Sequence, residues 1–169
     1  KEGDTIVAER SSFTPQPQAC MTVMDQRTGY VKAIVGGRGE KTASLTFNRA
    51  TDNYSQPGST FKVVTLSAAL ETGTASLTST YQAPGSMDIG NAPVTNYANE
   101  SYGTISLQQA FAVSSNVVFG QVANEVGANT LVQFANAFGY GQKLGQDLTS
   151  AASIMADPSL MTEWETAWA

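Results

Sequence analysis

An apolar run between Pro57-Gly58 and Gly73 is the sequence feature that most constrains how this chain can fold. Pro-Gly favours a turn, and glycine is common immediately after a helix, so the pattern predicts a helix from Ser59 to about Thr72. The apolar residues of the run are Phe61, Val64, Leu66, Ala69 and Leu70. Their spacing indicates burial on more than one side, which predicts a central, largely buried helix.

The start of this helix places Ser59 three residues before Lys62, so the two side chains share one face with about 5–6 Å between their Cβ atoms. A serine hydroxyl is a weak nucleophile until a base removes its proton. The chain contains no histidine, but a partly desolvated lysine with a lowered pKa can act as the base, and Val63 and Val64 supply apolar surroundings. Ser-x-x-Lys alone is most often a solvated serine near a surface lysine, so its context decides.

The segments before this helix predict a β-hairpin. Two β-branched runs, Cys20–Met24 and Tyr30–Val35, are separated by Asp-Gln-Arg-Thr-Gly, and Gly36-Gly37 ends the second. Short β-branched runs around a glycine-containing loop are typical of hairpins. Residues 1–18 are polar and predict a linker or edge segment, and residues 38–57 predict a polar connection.

The segments after the helix predict a loop and then further helices. Residues 73–104 are rich in Gly, Pro, Ser, Thr and Asn and read as a loop. Ser106-x-x-Gln109 is a capping-box pattern that predicts a short helix. A valine-rich helix is predicted after Asn116 with Gly127 as its stop, and Thr130-x-x-Gln133 predicts the start of another, stopped by Gly139. Beyond Leu148 the pattern weakens.

Composition excludes several classes of function. With 169 residues, 41% hydrophobic and 14% charged, the chain is typical of a globular domain or part of one. A net charge of −5 with nine scattered basic residues argues against nucleic acid as a partner. Without histidine and with one cysteine, a zinc site is not expected, and no cofactor is predicted. The lone Cys20 lies in a strand-like segment and predicts a buried structural thiol.

A second motif gives Ser59 and Lys62 a context. Ser114-Ser115-Asn116 lies between the apolar runs AFAV and VVF, and Ser-x-x-Lys followed by Ser-x-Asn is typical of penicillin-binding proteins and serine β-lactamases. The ordered blocks DQRTGYVKAIVGGR, FNRAT, QPGSTFKVVTLSAALETG, YGTISLQQAFAVSSNVVF and FGYG, from about Cys20 to about Leu148, resemble the transpeptidase domain of high-molecular-weight penicillin-binding proteins.

The resemblance implies a role for each matching residue. Ser59 is the expected nucleophile that forms an acyl-enzyme, and Lys62 is expected to take its proton. Ser114 is expected to relay protons between the lysine and the leaving or entering amine. Asn116 is expected to hydrogen-bond the amide backbone of the substrate and the lysine. Ser115 occupies the variable position of the triplet and receives no role.

The resemblance also implies a fold and a departure from it. The fold is α/β (α+β), of the serine β-lactamase and transpeptidase type, with a mainly antiparallel sheet flanked by helices. No Lys-Thr-Gly follows Asn116, and Lys41-Thr42-Ala43 precedes Ser59, so Lys41 is interpreted as a surface lysine. We therefore expect residues 19–169 to be only the N-terminal part of the domain. The missing strand is expected to pair with the hairpin, from a second chain or beyond a cleaved or disordered loop near TEWETAWA.

The implied function is a peptidoglycan D,D-transpeptidase that cross-links stem peptides and is acylated by β-lactams. The implied location is the extracytoplasmic face of the bacterial membrane, with an anchor upstream of this sequence. Alternatives are a β-lactam sensor domain and a class D-like β-lactamase, in which Ser-x-Val is expected at Ser114-Ser115-Asn116. A non-catalytic scaffold is a further alternative, disfavoured by the intact Ser59 and Lys62.

Overall fold

The structure, a computed structural model, describes residues 19–37, 47–143 and 150–168. The chain divides into two compact units, Lys1–Asn53 and Tyr54–Ala169. The predicted linker at 1–18 and the Lys41-Thr42-Ala43 triplet lie outside the described residues.

The first unit contains the predicted antiparallel hairpin. Strand β1 (Met21–Met24) pairs with β2 (Val31–Val35), and the register becomes irregular after Val23. Each β1 side chain is exposed, including Met21 at 63%. Cys20 is exposed as well. The prediction of a buried thiol is therefore wrong, because neither face of β1 is covered by the described residues.

The second unit begins with its helices. One 3₁₀ turn, Gly58–Phe61, leads directly into α1 (Lys62–Glu71), and Gly73 follows the helix with a φ of +71°. The predicted helix is therefore confirmed. The other α-helices among the described residues are α2 (Leu107–Ala112), α3 (Asn116–Val126), α4 (Ala128–Ala137) and the short α5 (Glu163–Ala167).

The caps of these helices agree with the sequence in part. The Ser106–Gln109 capping box at the start of α2 is present. Gly127, with a φ of +82°, ends α3 and also directly precedes α4. The prediction that Thr130 starts α4 is wrong, since the helix begins two residues earlier. A second capping box, Thr162 with Glu165, starts α5 in a region where the sequence showed only a weak pattern.

Three short strands and the start of a fourth lie in residues 73–104, so the prediction of a loop there is wrong. Strand β3 (Thr80–Ala83) pairs antiparallel with β6 (Gly103–Ser106), and β4 (Ser86–Ile89) pairs antiparallel with β5 (Ala92–Thr95). Between β4 and β5, Gly90 and Asn91 both have positive φ, at +60° and +66°. Two such residues form the tight turn that matches the twist of a hairpin. The four-residue strands are too short to show clear alternation.

The core of the second unit is built around α3. Most of its residues are buried, and the buried residues are not confined to one face, as expected for a helix enclosed by other elements. Helix α1 contributes Ala68 and Ala69 to this core, and its Val64 forms a second cluster with Ala135 and with Phe61, the last residue of the 3₁₀ turn. The prediction that α1 is buried on more than one side holds except at Leu70, which is 40% exposed. Within the described ranges, no helix is long and apolar enough to cross a membrane.

Candidate active site

The first half of the site is local to the start of α1. Gly58, with a φ of +56°, turns the chain so that Ser59 lies in the 3₁₀ turn and Lys62 in the first position of the helix. The Lys62 amine lies 3.1 Å from the Ser59 hydroxyl. The expected contact between residues i and i+3 is therefore present.

The second half of the site begins where α2 ends. The N–H of Ser115 donates to the carbonyl of Ala110 at 2.9 Å, and the N–H of Ser114 donates to the carbonyl of Phe111 at 3.1 Å. These two bonds define a Schellman motif, which places Ser114 at the position where glycine is usual. Ser114 accordingly has a φ of +55°. A serine with this φ is strained where a glycine would not be, and strained residues of this kind cluster at functional sites.

The start of α3 fixes the remainder of the triplet. The Ser115 hydroxyl accepts from the N–H of Val118 at 3.3 Å and so caps the helix. Asn116 is the first residue of α3, and its amide nitrogen donates to the carbonyl of Thr95 at 2.8 Å. That bond turns the side-chain oxygen of Asn116 toward Lys62, at 2.6 Å from the amine.

The two halves meet at the Lys62 amine. The amine lies 3.0 Å from the Ser114 hydroxyl and 2.9 Å from the Ser114 carbonyl oxygen. The hydroxyl of Ser114 in turn lies 3.0 Å from that of Ser59. Ser59, Lys62 and Ser114 therefore form a triangle in which each pair of polar atoms is within hydrogen-bonding distance. The structure brings together all four residues singled out by the sequence, Asn116 included.

Burial tunes the lysine toward its neutral form. Desolvation lowers the pKa of the Lys62 amine from its ordinary value. The amine also lies 5.9 Å from the centre of the Phe119 ring, which helps to exclude water from one side. Val63, which was expected to supply apolar surroundings, is 43% exposed instead. Within the part of the chain that the structure describes, no carboxylate lies within ion-pair distance of Lys62.

This geometry can activate a hydroxyl and move its proton. A neutral lysine amine has a lone pair that accepts a proton, and the Ser59 hydroxyl is within reach of it. The Ser114 hydroxyl contacts both partners and can therefore pass a proton between them. Asn116 retains one N–H and one lone pair beyond the bonds to Thr95 and Lys62, because a side-chain amide has two donors and two acceptor sites.

Sequence reasoning missed several residues around the site. Thr95 contributes a backbone carbonyl, which no side-chain motif reveals. Asn96 is 5% exposed, and its side-chain oxygen accepts a bond from the Ser115 hydroxyl at 3.0 Å. Ser115, to which no role was assigned, is 1% exposed and carries the helix cap. Phe119 belongs to an apolar run and could only be read as core.

Comparison with known proteins identifies the family to which this arrangement belongs. The family model described as the penicillin-binding protein transpeptidase domain matches residues 19–166. Penicillin-binding protein 1A of Clostridium tetani is 35% identical over 151 residues, which cover 82% of this chain and 18% of that protein. Penicillin-binding protein 1A of Neisseria lactamica is 36% identical over 132 residues, covering 75% of this chain and 16% of that protein.

Solved structures show the same fold. The D,D-transpeptidase domain of a peptidoglycan glycosyltransferase from Eggerthella lenta has a TM-score of 0.83 and 34% identity, covering 96% of this chain and 43% of that one. Penicillin-binding protein A of M. tuberculosis, in an imipenem acyl-enzyme complex, has a TM-score of 0.67 and 32% identity, covering 77% of this chain and 31% of that one.

The chain thus spans less than a fifth of the length of these curated relatives. Its mixed helices and antiparallel strands agree with the expected transpeptidase and β-lactamase-like fold. The family match covers most of the chain, including both motifs. The chain therefore belongs to the penicillin-binding protein transpeptidase family.

Proposed function

We propose that this chain supplies the nucleophile half of a peptidoglycan D,D-transpeptidase. The observation that carries the proposal is the triangle of Ser59, Lys62 and Ser114, whose polar atoms lie 3.0–3.1 Å apart. The family match supports acyl transfer as the type of reaction. The substrate is the D-Ala-D-Ala terminus of a stem peptide.

In the first acyl transfer, the Ser59 hydroxyl oxygen attacks the carbonyl carbon between the two D-alanines. Neutral Lys62 takes the hydroxyl proton. The bond to the terminal D-alanine breaks, and its nitrogen receives a proton from Lys62 by way of Ser114. The product is an ester between Ser59 and the shortened peptide.

In the second acyl transfer, the amine of another stem peptide attacks the ester carbonyl. Ser114 and Lys62 remove the proton of the attacking amine and return a proton to the departing Ser59 oxygen. The second transfer therefore both forms the cross-link and regenerates the free enzyme. Two successive acyl transfers give ping-pong kinetics. Asn116 holds the substrate amide with its remaining N–H while its oxygen keeps the lysine in place.

The oxyanion formed in each transfer needs backbone N–H donors, and the family resemblance implies that one of them lies on the strand that bears Lys-Thr-Gly. We propose that residues 19–169 are the N-terminal part of the domain and that a strand bearing Lys-Thr-Gly pairs with the β1–β2 hairpin. The side chains of β1 are exposed, so the hairpin buries little surface by itself. A two-stranded hairpin alone is marginally stable, which supports the addition of a further strand. Loss of one oxyanion donor costs about 10²–10³ in rate in related chemistry, so the complete polypeptide is needed for activity.

The proposed location is the extracytoplasmic face of the bacterial membrane, where peptidoglycan lies, with an anchor outside this sequence. β-Lactams are proposed ligands of Ser59, supported by two acyl-enzyme complexes of the related penicillin-binding protein A of M. tuberculosis. A β-lactam sensor would also be acylated, and a β-lactamase would release the drug. The Asn116 side chain in contact with Lys62 favours the transpeptidase over a class D-like enzyme, for which valine is expected at that position.

The test is covalent labelling of the complete polypeptide with fluorescent penicillin, followed by mass spectrometry of the digested adduct. We expect a single adduct on the peptide containing QPGSTFK, slow hydrolysis of that adduct, and no adduct in Ser59→Ala. Transfer of a D-Ala-D-Ala donor peptide to an amine acceptor then separates a transpeptidase from a sensor. An adduct on Ser114, or rapid release of the drug, would contradict the proposal.

A further inference from the structure

The buried side chain of Asn96, the residue directly after β5, uses its full hydrogen-bonding capacity. Its side-chain nitrogen donates to the carbonyls of Pro84 at 3.1 Å and Glu100 at 2.9 Å. Its side-chain oxygen accepts from the Ser115 hydroxyl at 3.0 Å and from the N–H of Val117 at 3.1 Å. An amide has two donors and two acceptor sites, so all four are occupied.

Two of these four bonds reach the residues on either side of Asn116. The preceding residue, Thr95, binds Asn116 itself through its backbone carbonyl. The end of β5 therefore contacts three consecutive residues at the start of α3, Ser115 to Val117. The N–H of Val117 belongs to the first turn of the helix, where no carbonyl within the helix can satisfy it.

We propose that Asn96 is a positioning residue for the acyl transfer described above, on which this inference rests: it fixes the start of α3 so that Ser114 and Asn116 converge on Lys62. Ser114 needs such support because its left-handed backbone is strained and persists only where the surroundings impose it. Asn96 touches none of the reacting atoms. It acts through Ser115 and Val117, which adjoin the two residues that contact the lysine.

The experiment measures the second-order rate constant of acylation by fluorescent penicillin in the complete polypeptide. For Asn96→Ala we expect a fall of about 10²-fold, because a displacement of about 1 Å in a catalytic group has that effect. We also expect the midpoint of the pH–rate profile to move to higher pH, since water that reaches Lys62 reverses part of the lowering of its pKa by burial.

A matched control separates positioning from general stability. Thr166 is 4% exposed, and its hydroxyl donates to the carbonyl of Thr162 at 2.8 Å in α5. Thr166→Val removes this buried bond and should lower the melting temperature while leaving the acylation rate and its pH midpoint unchanged. Ser115→Thr keeps a hydroxyl that can donate to Asn96 and accept from Val118, so it should be acylated at least about tenfold faster than Ser115→Ala.

A double-mutant cycle tests the route from Asn96 to the site. Asn96→Ala and Ser115→Ala remove the same contact from opposite sides, so the double variant should lose less than the product of the two single losses. If Asn96→Ala does not fold, Ser115→Ala and Ser115→Thr still give the expected fall and the expected recovery.

Three results would overturn the inference. These are an acylation rate in Asn96→Ala equal to that of the unaltered protein, an unmoved pH midpoint, and multiplicative losses in the cycle. A protein in which even unaltered Ser59 is not labelled overturns the proposed function itself. The two failures are therefore distinguishable in one set of measurements.

Discussion

Replacing Ser114 with glycine or with alanine should separate the strain of this position from its chemistry. Both variants remove the hydroxyl that contacts Ser59 and Lys62. Only glycine also removes the Cβ atom that makes a φ of +55° unfavourable. The pair of variants therefore differs in backbone strain and shares the loss of the proton relay.

The size of the difference follows from the backbone. A left-handed residue with a Cβ atom costs about 1–2 kcal/mol relative to glycine in the folded state. Glycine loses about 0.5–1 kcal/mol of this gain because its unfolded chain has more freedom. At the middle of both ranges, Ser114→Gly should therefore be more stable than Ser114→Ala by roughly 0.75 kcal/mol. In a domain of this size that corresponds to roughly 1.5–3 °C in melting temperature.

The assay pairs thermal unfolding, followed by circular dichroism, with the rate of acylation by fluorescent penicillin in the complete polypeptide. Both variants should be acylated at least about 10²-fold more slowly, which is the usual contribution of a positioned proton-transfer group. Stability and activity should thus change independently at Ser114. Glycine relieves the strain but gives up the function.

Two results would refute this reasoning. Equal melting temperatures for the glycine and alanine variants would mean that the positive φ is not imposed by the Schellman motif. Rapid acylation of Ser114→Gly would mean that the Ser114 hydroxyl takes no part in proton transfer.

Three further predictions concern other positions. Lys62→Ala should lower the acylation rate by at least about 10²-fold, whereas Lys41→Ala should leave it within about twofold, and labelling kinetics of the two variants check this ranking. In the unaltered protein the acylation rate should rise with pH through the pKa of Lys62, because only the neutral amine accepts the Ser59 proton. Burial lowers that pKa, so the rise should be centred below the range of a free lysine, and a flat pH–rate profile would count against Lys62 as the base. Gly90→Ala should destabilise the protein by about 1–3 kcal/mol, since its Cβ would lie 2.5 Å from the backbone nitrogen of Trp164. Gly73→Ala, also at positive φ but with no neighbouring atom within 4 Å, should cost less in the same thermal unfolding experiment.

Local signals explain which parts of the fold could be predicted from the sequence. The turn at Gly58, the helix after it and its end before Gly73 depend on residues close together in the chain, and all three were recognised. The Ser106–Gln109 capping box is equally local. The β4–β5 hairpin had one local signal, the Gly90-Asn91 turn, but its four-residue strands were hidden in a stretch of loop-forming residues.

Long-range contacts explain what the sequence could not show. The spacing of Ser59 and Lys62 predicted their contact, but the proximity of Ser114 and Asn116 came from a family resemblance. Asn96 has no such pattern: an asparagine in a polar stretch reads as a surface residue until folding buries it. The exposure of Cys20 was missed for a related reason, since apolar neighbours along a strand do not reveal whether another layer covers it.

The division of the site into a local half and a distant half has a consequence for a chain that is still folding. Ser59 and Lys62 are three residues apart and meet as soon as α1 forms, whereas Ser114 is separated from Lys62 by 52 residues. Closing a loop of that length must precede any contact between them and costs conformational entropy. Helix α1 alone would hold a solvated serine beside a charged, unreactive lysine. The reactivity of Ser59 therefore reports the docking of α3 rather than the formation of α1, and a β-lactam probe added during refolding would time that docking event.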